Sequence, residues 1–307
     1  MNTMRKHFCR ALVARANDEK FVFLTGDLGY AALEPLQEAM GHRFINAGVA
    51  EQNMVSVAAG LARNGLRPWV YSIASFIYTR PFEQIRNDVC LHDLPVRIVG
   101  NGGGYGYGVM GSTHHALEDY GTLVGLQHLT AFIPAFAKDV TDIVTKLQTF
   151  DHPAYLRLGA VEESKDLALP AYAPWRRVVS GGGEALLVIG PIAGKLIDAV
   201  NQIEESARPN LWVVSELPLG DLPVEFLTDV RRRDALLVVE EHVTQGGLGQ
   251  MIAHRLLGIG MAPRRFLHRA AMGYCSGLYG SQKFHRKECG LDPQGIIADL
   301  QRWGTSA

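Results

Sequence analysis

Cysteine is scarce in this chain of 307 residues: four in all, Cys9, Cys90, Cys275 and Cys289, with no Cys-x-x-Cys pair among them. That spacing excludes the usual zinc-ribbon and redox-pair frameworks and fits reduced thiols in a cytoplasmic protein. An excess of one charge is also lacking. Basic residues number 30 and acidic residues 31, a formal net charge of −1, so no polybasic face is offered to nucleic acid or to an acidic membrane surface. No apolar run approaches the roughly 18–20 residues of a membrane span. The start, Met1-Asn2-Thr3-Met4-Arg5-Lys6-His7, has no signal-peptide core. Short repeats and low-complexity tracts are absent too. What is there is 47% hydrophobic and 20% charged, the balance of a globular chain long enough for two domains of roughly 150 residues each.

Strand-like apolar runs alternate with helical periodicity. In the first half the expected strands are 21–24, 43–46, 68–73, 95–100, 130–133 and 154–158, and the expected helices 5–17, 31–41, 49–63, 79–91, 115–125 and 138–149. The pattern lapses through Glu162-Glu163-Ser164-Lys165, Pro170, Pro174 and Gly181-Gly182-Gly183, which reads as an interdomain linker. It resumes with strands 185–189, 211–215, 235–240 and 265–269 and helices 194–205, 222–233, 247–257 and 293–303. The expected fold class is α/β, two open and mostly parallel sheets covered by helices. The expected division is residues 1–165 as one domain, 166–183 as linker and 184–307 as a second domain.

One glutamate breaks the apolar logic. Met54, Val57, Ala58 and Leu61 recur at helical spacing, and three residues before Met54 stands Glu51, on the same stripe. A buried carboxylate is costly unless paired or protonated. A carboxyl in such a place can serve as a proton donor or acceptor.

Other candidates follow expected strands, where open α/β sheets bind ligands. Gly26-Asp27 follows the first, and Asp27 by itself reads as a turn residue. Phe76 and Phe82, after the strand ending at Ile73, are either a clamp for a flat heterocycle or ordinary core. The run from Gly100 to Gly111 contains Gly106-x-Gly108-x-x-Gly111, yet no acidic residue stands at the distance a dinucleotide fingerprint requires. It suits a loop whose backbone approaches a ligand, with Ser112 or Thr113 capping the next helix and His114 projecting from its first turn. Arg157 is either an anion contact or a surface ion pair. Glu240-Glu241-His242 lacks a further ligand at metal spacing and favours a structural or interface role.

Taken in order, these pieces resemble one family. Gly26-Asp27, Gly48-Val49-Ala50-Glu51-Gln52-Asn53-Met54, Ser75-Phe76 with Phe82-Glu83-Gln84-Ile85-Arg86-Asn87-Asp88, Thr113-His114-His115-Ala116-Leu117-Glu118-Asp119 and Tyr155-Leu156-Arg157-Leu158-Gly159 are similar to the pyrimidine-binding domain of transketolases. Val239-Glu240-Glu241-His242 with Gly246-Gly247-Leu248-Gly249 resembles the C-terminal domain of that family. The resemblance implies thiamine diphosphate as cofactor. It places Glu51 on a ring nitrogen of the aminopyrimidine, where the family's glutamate promotes deprotonation of the thiazolium carbon. It stacks Phe76, with Phe82, on that ring and sets Asp27 near the cofactor. It brings His114 to a substrate oxygen and Arg157 to a substrate phosphate.

The family's Gly-Asp-Gly…Asn segment, which holds the diphosphate and its Mg2+ or Ca2+, has no counterpart in this sequence. The resemblance therefore implies a β-type subunit of a split transketolase, with the metal held by an N-terminal, diphosphate-binding partner in an α2β2 assembly. Two positions depart from the sugar-phosphate enzymes. Met110 and Val109 stand where acidic residues are common, and Gly102 where a histidine is found, which disfavours a highly hydroxylated substrate. The alternatives are the β subunit of a 2-oxoacid or acetoin dehydrogenase, a 1-deoxyxylulose-phosphate-synthase-like acyloin enzyme, and a non-catalytic assembly partner.

Overall fold

The computed structural model describes residues 4–162 and 168–304, so the boundary expected at 165/166 lies outside the described residues. The strands among them are β1 (Phe21–Thr25), β2 (Phe44–Asn46), β3 (Arg67–Ile73), β4 (Arg97–Asn101), β5 (Thr130–Phe132), β6 (Ala154–Leu158), β7 (Trp175–Val179), β8 (Ala185–Ile189), β9 (Asn210–Val214), β10 (Glu216–Leu217), β11 (Ala235–Glu240) and β12 (Arg265–Arg269). They form a sheet of order β10-β5-β6-β4-β3-β1-β2 and a second of order β12-β11-β8-β9-β7. All pairings are parallel except β10 with β5 and β7 with β9. β1, β8, β9 and β11 are buried along their whole length, which is why each is a continuous apolar run, polar only at an end residue such as Thr25, Asn210 or Glu240, rather than an alternating one.

The periodic elements fall close to their expected places, and the exceptions have physical causes. β7 lies inside the stretch read as linker. At a sheet edge, its Trp-Arg-Arg-Val-Val sequence buries only Arg176 and Val179, so it carries no continuous apolar signal. β10 is two residues long, and the helix Gln282–Glu288 is polar but for Phe284; neither has a periodic apolar pattern to read. The helix expected over 115–125 is only Asp119–Leu123, so neither Ser112 nor Thr113 caps it.

The two sheets are tied by buried polar contacts. β10, on the chain beyond β9, adds an antiparallel strand to the first sheet through β5. Arg176 of β7 makes a two-pronged pair with Asp139, at 2.8 and 2.6 Å, and Asp139 also accepts from the Ala135 and Phe136 amides. A fork-to-fork pair of this kind fixes angle as well as distance.

Candidate active site

Glu51 opens the helix Glu51–Arg63, after a turn made possible by Gly48 at φ 71°. A carboxylate in the first turn is favoured by the helix dipole. The buried face is Glu51, Met54, Val55, Ala58, Ala59 and Ala62. The expected stripe is thus shifted: Val57 is 41% exposed, whereas Glu51 is 3% exposed. The carboxyl does not rest among apolar groups alone. Arg80 Nη1 donates to both its oxygens, at 2.7 and 2.8 Å, and Ser72 Oγ donates at 3.2 Å. Gly26 lies so close that a Cβ there would stand 3.7 Å from Glu51 Oε1. The ends of β1 and β3 and the start of one helix therefore converge on this group.

Arg80 makes a second contact. Its guanidinium carbon stands 3.8 Å from the centroid of the Phe76 ring. Phe76 and Arg80 are four residues apart, a spacing that brings the long side chain back over the ring. The same planar group thus stacks on Phe76 and donates to Glu51. Val49, Ala50, Glu51, Gln52, Asn53 and Arg80 line an open hollow of about 730 Å3 here. The His114 ring is 5.2 Å from that of Phe76, with Nδ1 2.9 Å from Thr113 Oγ1; Ser75 Oγ donates to the Thr113 carbonyl at 3.2 Å. Arg80 thus links Glu51 to Phe76, and His114 lies beside Phe76. The i, i+4 pairing with an aromatic residue was the sequence signal for Arg80.

The remaining candidates are placed differently. Asp27 is exposed beyond β1, at φ 57°, and accepts from Asn46 Nδ2 at 2.8 Å. Phe82 packs against the core cluster of Met54, Ile77 and Ile85, and no ring contact joins it to Phe76 among the described residues. Met110 is 55% exposed at the end of a short 3-10 turn, Gly108–Met110.

Arg157 is neither an open anion contact nor a surface pair. It is 4% exposed. Its Nε donates to Asp119 at 2.8 Å, and its Nη2 to the carbonyls of Ala116 and Glu241 at 2.9 and 3.1 Å. Burial works against its charge, but Asp119 and the neighbouring tyrosines outweigh that and raise its pKa. The expectation of a substrate-phosphate contact gives way to a buried ion pair at the junction of the two sheets. Sequence alone does not reveal this, because Asp119 lies 38 residues away.

The glycine-rich loop is held by the second sheet. A Cβ at Gly104, where φ is 65°, would come within 2.6 Å of Glu241 Oε1, so glycine is required there. Glu241 accepts from the Tyr105 amide at 2.6 Å, from Gln282 Nε2 at 2.9 Å and from Arg286 Nε at 2.7 Å. His115 reaches the Gly108 carbonyl at 2.8 Å and the Tyr274 hydroxyl at 2.9 Å. Glu240 bonds His268 Nε2 at 2.5 Å and accepts from the Leu248 and Gly249 amides, capping the helix Leu248–Gly258. Both glutamates are thus interface and capping groups, the role their missing metal spacing favoured.

His242 gives this junction a pH dependence. It is fully buried and stacked on Tyr120, with its Nδ1–H toward the Val243 carbonyl and its Nε2 accepting from the Gly121 amide. Burial holds its pKa, like that of His115, below the ordinary histidine value. The folded state then binds fewer protons than the unfolded one, so stability is full above about pH 6.5 and falls as pH drops toward the lowered values. Each histidine contributes a slope of up to about 1.4 kcal/mol per pH unit in that window. Thermal melts between pH 8 and 5 are expected to be flat at first and then to decline. His242→Phe, which keeps the stack, is expected to make the decline shallower; an unchanged slope would contradict the assignment.

Comparison with known proteins gives this geometry a family. Residues 2–160 match the transketolase pyrimidine-binding domain. The chain is 29% identical over 273 residues to one of the subunits of apulose-4-phosphate transketolase from Actinobacillus succinogenes, covering 87% of this chain and 86% of that one. It is 26% identical over 250 residues to 1-deoxy-D-xylulose-5-phosphate synthase of Clostridium perfringens, spanning only 40% of that relative's length. Among solved structures it superposes with a TM-score of 0.81 on a split gene transketolase described as an inactive beta4 tetramer, at 27% identity, covering 99% of this chain and 98% of the other. The domain that bears Glu51, Phe76 and His114 is therefore a transketolase pyrimidine-binding domain, and the chain belongs to the transketolase family.

Proposed function

We propose that this chain is the β-type subunit of a split, thiamine-diphosphate-dependent transketolase, transferring a two-carbon ketol unit from a ketose or ketose phosphate to an aldehyde acceptor. The observation that carries the reading is the pairing of a buried carboxylate with an aromatic face, Glu51 with Phe76, both engaged by one planar cationic group. A relative of nearly the same length is itself one subunit of a transketolase, and a similar solved chain is a split transketolase. In this reading Glu51 holds a proton-bearing nitrogen of the aminopyrimidine, Phe76 stacks on its ring, and Arg80 moves aside to admit it. His114, whose ring stands 5.2 Å from that of Phe76, donates to a substrate oxygen. Asp27 and Phe82 contribute at the periphery, and Met110 supplies an apolar substrate contact in place of a carboxylate. The chemistry that thiamine diphosphate supplies when bound is carbanion stabilisation at a thiazolium carbon. A likeness to 1-deoxy-D-xylulose-5-phosphate synthase supports a second reading, acyloin formation on the same site.

The proposed division is a pyrimidine-binding domain over 1–165 and a C-terminal domain over 184–307, with β7 joined to the latter. A partner polypeptide supplies the diphosphate site and its Mg2+ or Ca2+, and the proposed assembly is α2β2 in the cytoplasm. Exposed apolar side chains follow the C-terminal ends of strands of the first sheet: Tyr30 is 77% exposed, Val49, which lines the hollow, 72% and Val109 72%. They suit burial by a second polypeptide. No helix among the described residues is long and apolar enough to cross a membrane.

Mixing the chain with a partner that carries the diphosphate segment tests the proposal. Saturable thiamine diphosphate binding and ketol transfer are expected in the mixture alone. Equal cofactor affinity in the isolated chain would show that the site is not divided. Pyruvate replacing the ketose as the better donor would favour the acyloin reading.

A further inference from the structure

At the opposite, N-terminal end of the first sheet, three neighbouring strands are each preceded by a loop carrying a metal-ligand type of residue. The strands β5, β6 and β4 are adjacent in that order. The loops before them place His128, His152 and Asp93 so that one ligand atom from each lies within 4.8 Å of the others. His152 Nδ1 is 2.9 and 3.0 Å from the two oxygens of Asp93. His128 Nδ1 faces the same carboxylate at 3.8 Å, beyond hydrogen-bonding distance. The two imidazole planes are nearly parallel, 13° apart, with centroids at 6.4 Å.

We propose that Asp93, His128 and His152 form a three-donor site for a zinc-class divalent cation, joining the loops that lead into β4, β5 and β6. Tetrahedral zinc with bonds of about 2.0–2.1 Å keeps its ligand atoms roughly 3.3 Å apart. The two histidine-to-carboxylate separations, 2.9 and 3.8 Å, bracket that value, and all three ligand atoms lie within 4.8 Å of one another. A cation entering between the donors would draw them together by side-chain rotation, with the Nδ1 proton of His152 released to solvent. The Asp93 carboxylate is hydrogen-bonded to one imidazole and faced by the second at 3.8 Å, an arrangement in which a shared cation would engage both rings.

The support behind the donors is firm. The His152 ring lies edge-on to Phe150 at 5.6 Å, and Phe150 lies edge-on to Phe132 of β5 at 5.5 Å. His128 and Asp93 hold φ values of 65° and 50° at the donor residues themselves, a left-handed conformation in which glycine would be unstrained. The side chains of His128, His152 and Asp93 are 46%, 53% and 35% exposed, which leaves room for water in the remaining position. Two imidazoles and one carboxylate select zinc, cobalt, nickel or iron over the oxygen-seeking magnesium and calcium. The site is remote from Glu51, so it stands or falls independently of the proposed activity.

Calorimetric titration of the untagged, chelator-stripped full chain with zinc chloride, paired with thermal melts, tests the assignment. The expected result is saturable binding with one ion per chain at this site and a melting temperature raised by roughly 3–8 °C at a hundredfold excess over Kd. Asp93→Asn and His152→Gln are expected to weaken binding at least about tenfold and to melt like the wild type in chelator, since all three side chains are partly exposed. Cys275→Ser, which removes the exposed thiol, is expected to bind zinc as the wild type does. No saturable binding in the wild type, binding retained by both variants, or equal stabilisation by magnesium would overturn the proposal.

Discussion

Glu51→Gln is expected to lower kcat of the reconstituted complex by about 10²–10⁴-fold, the range for removing a positioned proton-transfer group. The glutamine keeps the volume and one acceptor, so packing against Met54 and Ser72 survives. What is lost is the negative charge opposite the position Arg80 now fills. If Glu51 serves the cofactor, the loss is in kcat with a nearly unchanged melting temperature. A scaffold role gives the reverse: activity kept and only stability altered, since a buried ion pair can be replaced without loss by groups of similar shape. Activity within tenfold of the wild type in the complex would remove Glu51 from the chemistry. Arg80→Met separates the contributions further. It frees the Phe76 face but also removes both guanidinium hydrogen bonds to the buried Glu51 carboxylate, leaving it the Ser72 hydroxyl, so it is expected to lower Tm and to change the affinity for the cofactor, without the large loss of kcat expected for Glu51→Gln.

The largest expected effect on stability is that of Arg157→Met. Asp119 is fully buried, and after the substitution it would keep the Tyr155 hydroxyl at 2.7 Å but no cation. Stranding a buried charge in this way costs about 3–5 kcal/mol, which for a chain of this size is a drop of roughly 6–20 °C in Tm. Adding Asp119→Leu is expected to recover much of that loss, because a buried pair replaced as a whole by apolar groups is often neutral. The single variant also decides between two roles. A Tm near the wild type, with KM raised only for phosphorylated substrates, would return Arg157 to the substrate phosphate. A large fall in Tm that the double variant reverses assigns it to the junction between the sheets.

The sequence by itself determined the α/β alternation, because parallel strands covered on both faces must be written as continuous apolar runs. It determined that Glu51 faces inward, because helix geometry fixes which residues share a face within a turn or two. It also determined the family, through motifs whose spacing survives where overall identity is low. The tertiary structure decided everything that depends on partners far apart in the chain. Arg80 reaches Glu51 across 29 residues and Asp119 reaches Arg157 across 38. Glu241 meets the Tyr105 amide across 136. No local period encodes such pairings; they arise only when strands take their order in the sheet. β7 and β10 stayed hidden for a related reason. One is a charged edge and the other two residues long, and both are held as strands by the neighbours they pair with rather than by their own sequences. The cluster of Asp93, His128 and His152 was invisible for the same cause. Its three members are scattered along the chain and become neighbours only because β4, β6 and β5 lie side by side.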